Sequence, residues 1–102
     1  MAHEFILSNP GLRPPYWAVA EHVWGAGCDF DSDGDSSVPD ASDWTELTVI
    51  LRSDECQRID IDPVEAAEPF TLRIRSEDEQ LAKKAAEFLA VRSGGELRRT
   101  RS

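Results

Sequence analysis

The chain has 102 residues, of which 40% are hydrophobic and 30% charged, a size and balance that fit one globular domain and exclude a chain disordered throughout. Twenty acidic residues against eleven basic ones give a formal charge of −9, which argues against direct binding of nucleic-acid phosphates or an anionic membrane and favours a basic partner or a cation. The charge is uneven, close to −7 over residues 1–43, −6 over 44–82 and +4 over 83–102.

The first residues lack a basic leader and an apolar run of signal length, and no stretch approaches the roughly 20 apolar residues that span a bilayer. The expected location is therefore cytoplasmic, where Cys28 and Cys56 are expected as free thiols, since neither belongs to a CxxC pair. Phe5-Ile6-Leu7 reads as a short strand closed by the turn signal Asn9-Pro10-Gly11. Pro15 opens a helix over Tyr16 to Trp24, with Trp17, Ala20, Val23 and Trp24 assigned to its apolar face and Gly25-Ala26-Gly27 as its stop.

Residues 25–43 are polar and rich in aspartate, and read as one long acidic loop. Within it, Asp29-Phe30-Asp31-Ser32-Asp33-Gly34 has the D-x-D-x-D-G start of an EF-hand calcium loop, with Asp40 at the twelfth position. The pattern departs from that loop at Ser36, where an apolar residue is expected, at Asp40, which is shorter than the usual glutamate, and at Pro39. Two readings stand: Asp29, Asp31, Asp33 and Asp40 ligate calcium, or the aspartates form a solvated loop for local turn chemistry. No other cofactor is indicated.

From Trp44 the periodicity changes to two. Leu47, Val49 and Leu51 mark a strand, Ser53-Asp54-Glu55 a turn, and Cys56 to Ile61 a return strand. Phe70, Leu72 and Ile74 mark a third strand of the meander, with Arg52, Arg58, Arg73 and Arg75 expected to form a charge ladder with acids on the outer face. Asp60 and Asp62 are better read as solvated acids than as a catalytic pair. Ser76-Glu77-Asp78-Glu79 matches a capping box ahead of a helix carrying Leu81, Ala85, Phe88 and Leu89, stopped by Ser93-Gly94-Gly95. Glu96-Leu97-Arg98 reads as a short final strand, and 98–102 as a frayed basic tail. The expected fold is α+β in a single domain over 1–102: a two-layer sandwich of about four antiparallel strands and two helices, in the order β-α-loop-β-β-β-α.

His3 and His22 lack neighbouring metal ligands, and no nucleophile elbow, phosphate loop or zinc motif is present, so a non-enzymatic protein is expected. Trp17, Trp24 and Trp44 are read as core residues or as partner anchors. Asp29, Asp31, Asp33, Asp35, Asp40, Asp43 and Trp44 form the expected contact region for a partner.

Trp44-Thr45-Glu46-Leu47, the two strands that follow it, and the helix from Leu81-Ala82 to Phe88-Leu89-Ala90 ending in Ser93-Gly94-Gly95 resemble small bacterial immunity proteins of polymorphic and contact-dependent toxin systems. The resemblance covers residues 44–97 and carries no functional residue over. It implies a cytosolic inhibitor that occludes a toxin domain; an acidic chain suits a basic toxin, since opposite charge speeds association. The alternatives are a calcium-binding module, a nucleic-acid mimic that presents carboxylates in place of phosphates, and a homodimer formed through an exposed edge.

Overall fold

The computed structural model describes residues 3–34, 42–65 and 68–100. Its elements run β1 (His3–Ser8), α1 (Tyr16–Trp24), β2 (Phe30–Gly34), β3 (Leu47–Leu51), β4 (Arg58–Pro63), β5 (Thr71–Ser76), α2 (Glu79–Ser93) and β6 (Glu96–Thr100). The strands form one sheet in the order β2-β3-β4-β5-β1-β6, every neighbouring pair antiparallel. The α+β class and the two helices agree with the sequence; among the described residues the sheet has six strands where about four were expected.

Two segments account for the difference. Phe30–Gly34 lies in the expected loop yet pairs with β3 from Phe30↔Leu51 to Gly34↔Leu47. Backbone pairing with an existing strand outweighs the low strand propensity of aspartate and glycine, because an edge strand needs only one partner and can leave its side chains in water. The short final strand read at Glu96-Leu97-Arg98, beyond the four, is present and longer: β6 pairs with β1 from Ser8↔Glu96 to Glu4↔Thr100, so the tail expected to fray from residue 98 is paired as far as Thr100.

Period-two alternation gives the sheet its two faces. Phe5, Leu7, Leu47, Val49, Ile59, Ile61, Leu72 and Ile74 are buried beneath the helices, joined by Val19 and Val23 of α1 and by Leu81, Ala82, Ala85, Ala86 and Leu89 of α2. The two helices also pack on each other. Trp44, 1% exposed, belongs to this core, so its side chain is not the surface contact expected from its place beside the acidic loop.

The phase of α1 differs from the sequence reading. Its buried residues are Tyr16, Ala18, Val19, Ala20 and Val23, whereas Trp17 is 46% exposed and Trp24 half-buried. α1 is covered on two sides, by the sheet below and α2 beside it, so small Ala18 faces the neighbouring helix and bulky Trp17 stands on the uncovered flank. The N-cap of α2 is Asp78, which accepts from the N–H groups of Gln80 and Leu81, rather than Ser76. Ser76 closes β5, and its hydroxyl donates to the Arg58 carbonyl at 2.6 Å; that bond belongs to the sheet. Among the described residues, no helix is long and apolar enough to cross a membrane.

Candidate functional site

The face of the sheet away from the helices is a charge ladder, as the alternation of arginines and acids predicts. Arg58 Nη2 lies 3.0 Å from Asp60 Oδ1, Arg73 Nε 3.1 Å from Glu4 Oε1, and Arg75 Nη2 2.5 Å from Asp62 Oδ2. The Thr48 hydroxyl donates to Asp60 Oδ1 at 2.8 Å. Asp60 and Asp62 are thus partners of arginines. The bond to Asp60, with its negative charge, pushes the Arg58 guanidinium to a higher pKa than usual, which fixes it as a cation.

Balance is lost toward the β2 edge. Asp29, Asp31 and Asp33 fall at alternate positions and all three project on the open face, because the intervening Phe30 and Gly34 turn to the helix side: Phe30 packs against the core and Gly34 lies under the Tyr16 hydroxyl. A methyl group on Gly34 would stand 2.2 Å from that hydroxyl oxygen, so close helix-to-strand approach requires glycine here. Arg52, just beyond β3, reaches back across the ladder, with Nη1 2.7 Å from Asp29 Oδ1 and Nη2 2.9 Å from Asp31 Oδ1. The hydrogen bond to Asp31 and the charges of Asp29 and Asp31 raise its pKa.

Asp33 has no such cation among the described residues. With Gly34, Glu46 and Thr48 it lines a polar notch of about 190 Å³. Two carboxylate side chains give the notch a negative lining, the chemistry that suits a lysine or arginine head group. Glu46 was not singled out in the sequence; it enters through the β2–β3 register, which sets its neighbour Leu47 opposite Gly34.

The remaining expected site residues separate. Asp43 is exposed beside the buried Trp44, and Asp35 and Asp40 lie outside the described residues. The described aspartates of the EF-hand-like motif do not wrap as a calcium loop. They ride on extended chain, where alternate side chains are spaced by roughly 7 Å, and Arg52 already bridges two of them. Among the described residues no group of three or more His, Cys, Asp or Glu side chains is placed to hold a metal ion.

Of the tryptophans, Trp17 alone is exposed; Trp24 donates from Nε1 to Gln57 Oε1 at 2.7 Å. A second, apolar depression of about 260 Å³ lies between the helices, lined by His22, Glu87, Phe88 and Val91, with the His22 ring stacked on Phe88 at 4.4 Å. Compared with family models, curated proteins and solved structures, the chain matches none.

Proposed function

We propose that this chain is a non-enzymatic binding protein of the inhibitor or immunity type, which takes a basic protein partner at the acidic edge of its sheet. The observation that carries the reading is the notch that Asp33 and Glu46 line, at the β2 end of the sheet, where Asp33 has no cation beside it among the described residues. Elsewhere on the same face each arginine of β4 and β5 stands beside an acid, so the excess negative potential concentrates at β2. The overall charge of −9 adds long-range steering of a basic partner, which raises the association rate at low salt.

The test is affinity capture from the native cell extract on two immobilised chains, the wild type and one carrying Asp31→Asn, Asp33→Asn and Glu46→Gln. The expected result is a basic protein held by the wild type, released by salt, and not retained by the neutralised chain. Its own activity should fall on adding an equimolar amount of the wild-type protein. Retention by both chains, or by neither, counts against the reading.

A further inference from the structure

We infer that the outer edge of β2 is a strand-addition site: an extended segment of a protein partner, with lysine or arginine at alternate positions, joins the sheet beside β2 and beneath Trp17. The inference rests on the basic-partner reading above and adds the mode of binding.

The hydrogen-bonding phase of β2 supplies the first observation. In an antiparallel pair, residues alternate between those bonded to the partner strand and those whose N–H and C=O point away. The N–H of Arg52 donates to the Asp29 carbonyl at 3.0 Å, whereas the N–H of Leu51, opposite Phe30, donates away from β2 to Gln57 at 3.0 Å. Asp29, Asp31 and Asp33 therefore bond inward to β3, and Phe30, Ser32 and Gly34 present their backbone groups outward. Among the described residues β2 is the terminal strand of the sheet, so these groups form a template for one more strand.

The second observation is what flanks that edge above and below. On α1, His22 stacks on Phe88 of α2 and Val19, Ala20 and Val23 are buried. At 100° per residue, Trp17 then falls on the flank of α1 away from α2, at the end of the helix that its neighbour Tyr16 sets over β2, with the Tyr16 hydroxyl against Gly34. An added strand thus meets an exposed indole on its helix side and the carboxylates of Asp31 and Asp33 on its open side. Apolar residues alternating with basic ones match both surfaces.

Charge selects the occupant. A second copy of β2 would set aspartates against aspartates. A second copy of β6 offers Glu96 and Arg98 on the open-side positions, one acid and one cation. A basic segment of another protein satisfies the edge throughout.

The probe is a synthetic peptide of about eight residues alternating lysine and valine, followed by amide NMR and calorimetry, beside a glutamate–valine peptide and a lysine–valine peptide N-methylated at alternate residues. The expected result is salt-sensitive binding of the first peptide, with shifts at Phe30–Gly34 and the Trp17 indole, and loss of binding by the other two. Ser32→Pro removes an outward N–H that the described strands do not use and should weaken binding roughly three- to tenfold or more. If Ser32→Pro and the N-methylated peptide bind as well as the parents while Asp31→Asn with Asp33→Asn weakens binding, strand addition is overturned and the basic-partner reading stands. Equal binding of the glutamate–valine peptide overturns the basic-partner reading, and no binding of the lysine–valine peptide overturns the strand addition. Self-association of the free protein that Ser32→Pro abolishes would make a second copy the occupant and overturn it also.

Discussion

The Trp44 indole donates from Nε1 to the carbonyl of Pro14 at 2.8 Å inside the core. Around that bond the Trp44 carbonyl accepts from Arg13 Nε at 2.7 Å, and the Tyr16 ring meets Trp44 edge to face at 5.9 Å. The segment leading into α1 is thereby pinned to the residues leading into β3. Trp44→Ala should lower unfolding free energy by about 3–5 kcal/mol through the cavity it leaves. Trp44→Phe, which restores most of the apolar area but orphans the Pro14 carbonyl, should cost about 1–3 kcal/mol. Urea midpoints of the two variants check both values; equal losses would show that the indole N–H contributes nothing.

Arg52 bridges Asp29 and Asp31, and its guanidinium takes the place between the two carboxylates that a shared ion would need. Millimolar calcium should therefore leave the amide resonances of Asp29–Gly34 in place. In Arg52→Gln the same strand carries two more unpaired carboxylates, and the lysine–valine peptide should bind a few-fold more tightly at low salt. Saturable calcium shifts confined to β2 in the wild type would instead restore the metal reading of these aspartates.

At the opposite edge, Glu79 at the start of α2 pairs with Arg99 of β6 and lies 3.7 Å from His3 Nδ1. The Arg99 hydrogen bond, followed by its charge, holds the Glu79 carboxyl below the usual glutamate range. A pKa lowered by folding contributes stability above the ordinary glutamate value and loses it as pH falls through the lowered one. Wild type should thus exceed Glu79→Gln in urea midpoint at neutral pH, and the gap should close in acid. A gap that is constant from neutral pH into acid would remove the ion pair as its cause.

Cys28 and Cys56 are both free thiols but differ in surroundings. Cys28 is half-buried, and burial, then the negative charge of Glu21, pushes its thiol pKa up; Cys56 is exposed on the turn between β3 and β4. Alkylation at mildly alkaline pH, read by peptide mass, should modify Cys56 several-fold faster. Raising the pH should narrow the difference, since thiolate supply is one part of it.

Local signals were legible where chemistry and periodicity acted alone. Tyr16 to Trp24 forms the helix that Pro15 and Gly25 delimit, Leu47 to Leu51 the strand that its alternation marks, and the arginines of β4 and β5 take the outer face opposite acids. What failed were features settled by a neighbour distant in the chain. The strand at Phe30–Gly34 exists because β3 offers it a backbone ladder, a preference stronger than that of its aspartates and glycine. Ser76 yields the helix cap to Asp78 because its hydroxyl bonds to Arg58 across the sheet.

The tryptophans divide for the same reason. Their number and amphipathic chemistry were readable from the chain, but not that Trp44 would find a carbonyl at Pro14 and be buried, or that α2 would take the flank of α1 occupied by Ala18 and leave Trp17 outside. By itself the sequence determined the acidity, the helices, the meander and the face on which its charges ladder. Only the tertiary structure decided that Asp31 and Asp33 stand on a strand at the edge of the described sheet with Glu46 nearby, because strand pairing and helix docking depend on surfaces that residues far apart in sequence build together.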